Sequence, residues 1–272
     1  MATFKFQGKN VYYETHGEGK PLILLNGIMM STRSWTIFKE AFSKDNRLIL
    51  LDFLDQGQSD KLEEPYTQDL QVEVLKALMD ELGYEKVNLL GISYGGEVAL
   101  NFITKHEDRV ERLVLFNTSH RTSPWLKDIG DAWNLSRDNA LDYYLTTIPV
   151  IYSPEFYNRN RTWMEERKKL LTSTVFSDKA FMDSMVRLTV SAETHDVTEA
   201  LKNIGTRTLI VSSENDFITP KEEQEALHRL LRNSDHVILP KTGHGSMYER
   251  PALFTALTLG YINAKDLDMS VL

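Results

Sequence analysis

Short apolar runs bounded by polar turns alternate along this chain with longer amphipathic stretches. Val, Ile and Leu dominate the short runs, which is typical of parallel strands covered on both faces. In one long stretch Leu70, Val74 and Leu78 recur at every fourth position and predict the apolar face of a helix. The predicted strands are residues 3–6, 11–15, 21–25, 47–52, 87–90, 110–116, 208–211 and 236–239. The predicted helices are residues 33–42, 67–82, 97–105, 221–231 and 251–262.

Strands that alternate with helices predict an α/β fold, with a mostly parallel central sheet and helices on both faces. Residues 119–190, here called the insertion, break the alternation, because they hold no convincing strand but several helix starts. The predicted starts are Ser136, Ser153 and the pair Ser177-Asp178. A helical insertion after the sixth strand lies above the strand ends, where ligands bind, so we expect a lid. Residues 1–118 and 191–272 then form the α/β core.

One junction between a predicted strand and a predicted helix reads Gly91-Ile92-Ser93-Tyr94-Gly95. A tight turn there forces the central serine into a strained backbone conformation and raises its hydroxyl above the sheet edge. Glycine is expected at positions 91 and 95 because a Cβ atom would collide across the turn. The apolar strand before the serine and the amphipathic helix after it are the context that this motif requires. Ser93 is therefore the predicted nucleophile.

A serine hydroxyl is a weak nucleophile, so it needs a base and a group that orients the base. His244 directly follows the last predicted strand and has glycine on both sides; we interpret the other histidines as surface, capping or packing residues. Asp216 follows the penultimate strand and is the favoured acid, with Glu214 as its nearest competitor. A third location, residues 117–119 after the sixth strand, contains no carboxylate.

The composition of the chain limits the kinds of binding partner and of metal site that we expect. The chain of 272 residues has a net charge of −8, which argues against nucleic acid or an anionic membrane as a partner. One basic cluster is interleaved with glutamates, and we interpret it as a solvated helix face. It comprises Arg159, Arg161, Arg167, Lys168 and Lys169. Because there is no cysteine, no apolar leader and no apolar run of membrane-spanning length, we expect a soluble, cytoplasmic protein without thiolate metal sites.

The chain order Ser93, Asp216, His244 and the surrounding motifs resemble the α/β-hydrolase superfamily. The similar branch contains small serine esterases, haloperoxidase-like perhydrolases, thioesterases and C–C bond hydrolases, and the resemblance covers nearly the whole chain. It implies a Ser-Asp-His catalytic triad and an oxyanion hole made by the backbone amides of Ile28 and Tyr94, with no metal or cofactor. The serine speaks against haloalkane dehalogenases and epoxide hydrolases, which have aspartate at the elbow.

Two dipeptides depart from the usual pattern of that family. Asn26-Gly27 stands where His-Gly is usual, and Leu54-Asp55 stands where Arg-Gly is usual. We expect the first change to alter how the oxyanion loop is braced. The second is expected to remove a basic anchor and to place a carboxylate near the sheet edge. Either change bears on the class of substrate.

We therefore expect a serine hydrolase of the carboxylesterase type that cleaves an ester, thioester or lactone through an acyl-enzyme on Ser93. The substrate is expected to be a small to medium, largely apolar molecule. The candidates for contact with it are Met29, Met30, Trp35, Trp133 and Tyr144. Three alternatives remain open: a C–C bond hydrolase, an acyltransferase on the same triad, and a ligand-binding or signalling protein of this fold with low turnover.

Overall fold

The structure, a computed structural model that describes residues 2–265, is built around one eight-stranded sheet. The strands are β1 (Ala2–Phe6), β2 (Lys9–His16), β3 (Lys20–Leu25), β4 (Asn46–Leu51), β5 (Val87–Ile92), β6 (Val110–Phe116), β7 (Arg207–Ser213) and β8 (Ser234–Leu239). Their order in the sheet is β1-β2-β4-β3-β5-β6-β7-β8. Only the β1–β2 and β2–β4 pairs are antiparallel. The predicted fold class is confirmed.

Both faces of the sheet are buried, and β3 shows how the sequence achieves this. Leu22 and Leu24 contact one apolar cluster, whereas Ile23 and Leu25 contact a second cluster on the other face. Successive strand residues point to opposite faces, so a strand covered on both sides needs an unbroken apolar run. The short runs of Val, Ile and Leu in the sequence have this cause.

Helices cover both faces of the sheet. They are α1 (Lys39–Ser43), α2 (Asp69–Glu81), α3 (Tyr94–His106), α4 (Pro124–Leu135), α5 (Ala140–Ile151), α6 (Pro154–Arg159), α7 (Arg161–Ser173), α8 (Lys179–Ser191), α9 (Thr198–Leu201), α10 (Lys221–Leu230), α11 (Ser246–Glu249) and α12 (Pro251–Asn263). Short 3-10 helices occupy Thr32–Trp35, Glu107–Arg109 and Val175–Ser177. In the described range, no helix is both long enough and apolar enough to cross a membrane.

The insertion is helical, and α4 to α8 follow one another between β6 and β7. Most residues of one apolar cluster come from the insertion, among them the buried Tyr143, Tyr152 and Met164, and Ile218 of the core joins this cluster. Ser153 caps α6 as predicted, and Asp178 rather than Ser177 caps α8. Its action as a lid stays a prediction.

Ser136 does not start a helix, contrary to the prediction. It follows the last residue of α4, and its hydroxyl donates to the carbonyl oxygen of Ala132 at 3.1 Å. The next helix, α5, is instead capped by the side chain of Asn139, which accepts from the amides of two residues in the first turn. A serine can satisfy backbone groups at either end of a helix, so its identity alone does not fix the boundary.

The predicted helix at residues 33–42 is also wrong, because a 3-10 turn and the short helix α1 replace it. The backbone N–H of Ser31 donates to the hydroxyl of Ser34 at 3.2 Å, a capping-box contact at the start of the 3-10 turn. The helix-like spacing of apolar residues here has a different cause. The aromatic side chains of this segment, Phe38 among them, pack around the ring of Phe254 in α12.

Candidate active site

Ser93 occupies the turn between β5 and α3 with φ 51° and ψ −121°, a backbone conformation that residues other than glycine rarely adopt. A Cβ atom on Gly91 would lie 2.7 Å from the carbonyl oxygen of Gly95, so this glycine is required across the turn, as predicted. A Cβ atom on Gly95 would lie 2.3 Å from the carbonyl oxygen of Leu25. The second glycine is therefore required by the end of β3, not by the turn itself.

His244 and Asp216 come from different loops and lie side by side. Nδ1 of His244 is 3.0 Å from each carboxylate oxygen of Asp216. The loops after β7 and β8 meet because these strands are parallel neighbours, so both loops emerge at one sheet edge. The competing acid, Glu214, is exposed and accepts from the backbone N–H of Lys241 at 2.7 Å. Asp216 is thus the carboxylate that orients the imidazole.

The carboxylate of Asp216 is buried and fully hydrogen-bonded. Oδ1 accepts from the backbone amides of Ile218 and Thr219 at 2.9 and 3.0 Å. Oδ2 accepts from the hydroxyl of Thr219 and the side-chain amide of Asn117, each at 2.9 Å. Burial raises the pKa of this carboxyl, but the imidazole of His244 and these donors outweigh burial and lower the pKa below its usual value. Asp216 is therefore ionised at neutral pH.

Asn117 is a contact that the sequence did not predict. It directly follows β6, adopts φ 49°, and donates from Nδ2 to Asp216 and to the hydroxyl of Ser213 at 3.0 Å. Its Oδ1 accepts from the hydroxyl of Ser246 at 2.6 Å, two residues after His244. Its place after β6 at the same sheet edge is a signal in the sequence, but its side chain is an amide and not the carboxylate expected of a triad acid.

The loop that carries His244 is held against the insertion. The carboxylate of Glu249 accepts from the backbone amides of Gly243 and Ser153 at 3.1 and 2.7 Å, so one side chain joins both segments. A Cβ atom on Gly243 would lie 2.4 Å from the backbone nitrogen of Ser153. Close packing against the insertion is therefore the reason for a glycine at position 243.

Ser93 and His244 line one cavity of about 110 Å³ at the carboxyl ends of the strands. No hydrogen bond joins the Ser93 hydroxyl to the imidazole within residues 2–265, and such bonds are often long in enzymes without substrate. Met29, Met30 and Trp133, three of the predicted contact residues, also line the cavity.

Two predicted substrate contacts are wrong. Trp35 is fully buried in the core, where its ring stacks on Phe254 and its Nε1–H donates to Oδ1 of Asn26 at 2.7 Å. Tyr144 is fully buried inside the insertion, and its hydroxyl donates to the carbonyl oxygen of Met164 at 3.1 Å. Neither residue lines the cavity with Ser93. The polar atom of each side chain has a hydrogen-bond partner and the ring packs against apolar neighbours, so both residues stabilise the fold.

The basic cluster of α6 and α7 is only partly the solvated face that was predicted. Arg159 and Arg161 are exposed and pair with glutamates of their own helices. Arg167 instead turns inward and lines the cavity that contains Ser93 and His244. Helical spacing in the sequence did not distinguish it, because glutamates surround all of these residues.

A second, smaller cavity of about 60 Å³ borders Ser93 on another side. Its wall includes Tyr94 and the buried carboxyl of Glu97 in the first turn of α3. The side chain of Gln68 donates to Glu97 at 2.6 Å. Burial raises the pKa of Glu97, and the nearby imidazole of His195 and the bond from Gln68 offset this only in part.

The predicted oxyanion donors, the amides of Ile28 and Tyr94, belong to two firmly anchored peptide planes. The carbonyl oxygen of Ser93 accepts from the amides of Gly96 and Glu97, and from a threonine hydroxyl at 2.9 Å. This fixes the plane that carries the Tyr94 N–H. The carbonyl oxygen preceding Ile28 accepts at 3.1 Å from a backbone amide in the same turn, and at 3.0 Å from a glutamine side chain.

That glutamine is Gln56, and it explains how Asn26 replaces the usual histidine. Gln56 donates to the carbonyl oxygen of Gly27 and accepts from Nδ2 of Asn26 at 3.1 Å. Asn26 also donates to the carbonyl oxygen of Leu51 at 2.8 Å. All these polar groups are buried, so the expected altered brace is an amide chain from the end of β4 to the oxyanion loop.

Asp55, the other departure, does not face the cavity with Ser93. Its carboxylate receives two hydrogen bonds from Arg187 of α8, at 2.6 and 3.0 Å. The side chain of Asp55 is fully buried and that of Arg187 is 14% exposed. Asp55 also adopts φ 70° and accepts from the backbone N–H of Leu62 at 3.0 Å. Asp55, which departs from the usual family pattern, therefore joins the core to the insertion through a buried ion pair with Arg187.

Comparisons with known proteins agree with this geometry. A family model described as the α/β hydrolase fold matches residues 20–251. The chain belongs to the α/β hydrolase family. MGS-M2, an α/β hydrolase enzyme from a Medee basin deep-sea metagenome library, is 50% identical with a TM-score of 0.97, over 99% of this chain and 100% of that chain.

Two more distant relatives of this α/β hydrolase indicate the range of chemistry in the family. A thermophilic esterase from Thermogutta terrifontis, solved with malate bound, is 25% identical with a TM-score of 0.81 over 96% of both chains. A proline iminopeptidase from Lactobacillus acidophilus is 25% identical over 96% of this chain and 97% of its own. Residues 2–265 of the present chain hold no group of three or more His, Asp or Glu side chains suited to a metal ion.

The ion pair between Asp55 and Arg187 generates a stability prediction. Arg187→Met leaves a buried carboxylate without its partner and should lower the free energy of unfolding by about 3–5 kcal/mol. The double variant Asp55→Asn, Arg187→Met removes both charges and should regain most of that loss. Chemical denaturation measures all three. The exposed pair Arg161 and Glu165 is the control, with an expected effect under about 1 kcal/mol; additive losses in the double variant would contradict the prediction.

The buried carboxyl of Glu97 generates a pH prediction. Its pKa is raised in the folded protein, so its unfavourable effect on stability is absent below the unfolded pKa of about 4.3 and grows as pH rises toward the folded value. The melting temperature of Glu97→Gln should therefore exceed that of the wild type by more at pH 8 than at pH 5. Thermal unfolding at both pH values measures this, with exposed Glu85→Gln as the control. An equal difference at both pH values would refute it.

Proposed function

We propose that this protein is a serine hydrolase that cleaves carboxylic esters through an acyl-enzyme on Ser93. One observation carries the proposal: a serine on a strained strand-to-helix turn shares a cavity with an imidazole whose Nδ1 is held by a buried, ionised carboxylate. This is the arrangement that activates a hydroxyl for attack on a carbonyl carbon.

Each residue has one role in the proposed reaction. Ser93 Oγ attacks the ester carbonyl while Nε2 of His244 removes its proton, and Asp216 stabilises the resulting imidazolium. The amides of Ile28 and Tyr94 donate to the oxyanion. The proton then passes to the leaving alcohol, and the acyl group stays on Ser93. A water molecule attacks in the same way and releases the carboxylic acid.

The relatives support hydrolysis at a carbonyl carbon and are consistent with more than one leaving group. One of the relatives described above is an esterase and another is a proline iminopeptidase. Methionines and Trp133 line the cavity, and an apolar wall suits an ester better than a peptide backbone, which would need hydrogen-bond partners. An ester is therefore the proposed substrate.

The proposed nucleophile is tested by labelling and turnover together. A fluorophosphonate should label the wild type at Ser93, and Ser93→Ala should lose both the label and about 10⁴-fold or more in kcat. The substrates are p-nitrophenyl esters of increasing chain length, with a prolyl anilide as the amide comparison. Exposed Ser173→Ala is the control. A label on another serine, or full activity in Ser93→Ala, would exclude the mechanism.

The brace at Gln56 is tested separately. Gln56→Leu removes the donor to the Gly27 carbonyl, so the peptide that carries the Ile28 N–H should lose its fixed orientation. Loss of one oxyanion donor costs roughly 10²–10³-fold in kcat, and misorientation should cost about tenfold or more with little change in KM.

Glu63→Gln, at an exposed position that follows on the same segment, is the control for Gln56→Leu. If Gln56→Leu changed only KM, or lowered only the melting temperature, and left kcat unchanged, the brace would not act on the transition state.

A further inference from the structure

Arg167 is the one side chain with a permanent charge that lines the Ser93 cavity, among the residues described there. It projects from α7, and its guanidinium lies over two aromatic faces, 5.2 Å from the centre of the Trp163 ring and 5.6 Å from that of Tyr248. Contacts of this kind hold a guanidinium in place but leave its N–H groups free to donate. The charge is therefore positioned without being neutralised.

No residue from 2 to 265 forms an ion pair with Arg167, and its Nε is buried without a hydrogen-bond partner. Its neighbours on the same helix differ, since Arg161 and Lys168 both pair with Glu165. A buried, unsatisfied donor of a charged group costs free energy, so a positioned but unpaired guanidinium favours a ligand that supplies an acceptor.

In the part of the chain that the structure describes, no acid in the surroundings of Arg167 forms an ion pair with it. Asp52 and Asp178 line an adjoining cavity together with Arg167, but their carboxylates accept hydrogen bonds from backbone amides of their own neighbourhoods. The cavity wall shared with Ser93 includes no Asp or Glu residue. The carboxylate of Glu249, the closest in chain position to the wall residue Tyr248, is occupied by amides of Gly243 and Ser153. The cavity therefore presents a net positive charge to any bound molecule.

A larger cavity of about 700 Å³ adjoins this one. Met30, Ile148 and Arg167 line both cavities, so the guanidinium stands at their common wall. A substrate with its reacting carbonyl at Ser93 can place a distant group against Arg167 and has room beyond it.

We propose that Arg167 binds a carboxylate on the substrate, at the end remote from the scissile carbonyl. The preferred substrates are then esters that also carry a carboxylate, such as the half-esters of dicarboxylic acids. A planar guanidinium can donate two parallel hydrogen bonds to a carboxylate, which gives both affinity and orientation. This inference rests on the proposed esterase function, and it changes the expected substrate from largely apolar to anionic.

The test compares pairs of esters in which one member carries a free carboxylate and the other carries the methyl ester of that carboxylate. On the acyl side, the monomethyl esters of glutarate, adipate and suberate are compared with the corresponding dimethyl esters. On the alcohol side, 4-carboxyphenyl butyrate is compared with its methyl ester. We expect the wild type to prefer the anionic member of at least one series about tenfold or more in kcat/KM, the usual scale for a charged hydrogen bond. The responding series tells which half of the substrate carries the carboxylate.

Variants then assign the preference to one residue. Arg167→Met should reduce the ratio of anionic to neutral kcat/KM about tenfold or more, and Arg167→Lys should keep part of it. Arg161→Met, on the same helix but 68% exposed, should leave the ratio unchanged. Melting temperatures identify a variant that has lost its fold. If Arg167→Met has lost its fold, the ratio of anionic to neutral kcat/KM in Arg167→Lys is compared with that of the wild type instead.

A binding measurement makes the test independent of turnover. Free adipate should bind to Ser93→Ala. The double variant Ser93→Ala, Arg167→Met should bind adipate about tenfold or more weakly, as measured by calorimetry.

The inference is overturned if neither series shows a preference for the anionic ester. It is also overturned if Arg167→Met lowers kcat/KM equally for the anionic and the neutral ester. Failure of the proposed function looks different, because Ser93→Ala would then still hydrolyse the dimethyl esters.

Discussion

The burial of one negative charge, on Asp216, constrains the arrangement of the whole candidate active site. A carboxylate taken out of water without partners costs several kcal/mol, which is comparable to the total stability of a domain. Its partners come from three loops: Asn117 after β6, Thr219 after β7 and His244 after β8. Because these strands are parallel neighbours, satisfying the charge also brings the imidazole beside the elbow that carries Ser93.

The sequence predicted those features that depend on local pattern. Apolar runs gave the strands and their order along the chain, and glycines gave the elbow. Ser93, Asp216 and His244 lie one, three and five residues beyond the ends of β5, β7 and β8, and the carboxyl ends of these parallel strands meet at one edge of the sheet. The sequence could not supply distant pairings, such as Gln56 with Gly27 or Asp55 with Arg187. These pairs depend on how loops fold back over the sheet, which no periodicity encodes.

Apolar residues close to the motifs were harder to assign than the polar ones. Trp35 and Met30 lie near each other in the sequence, yet one is buried in the core and the other lines the cavity. Trp35 ends the 3-10 turn that begins at Thr32, two residues after Met30, and this turn directs the two side chains to different regions. Arg167 shows the same limit for charge, because a helix can direct one basic residue inward while its neighbours stay in water.

Several contacts join the insertion to the core and to the loops of the proposed catalytic residues. Arg187 pairs with Asp55, the amide of Gly245 donates to the carbonyl oxygen of Ile151 at 2.7 Å, and Glu249 joins Ser153 to the loop of His244. Two of these contacts flank the imidazole directly. A displacement of α5 and α6 would therefore have to break bonds that hold His244, so the helices that shape the cavity also help to fix the proposed base beside its acid.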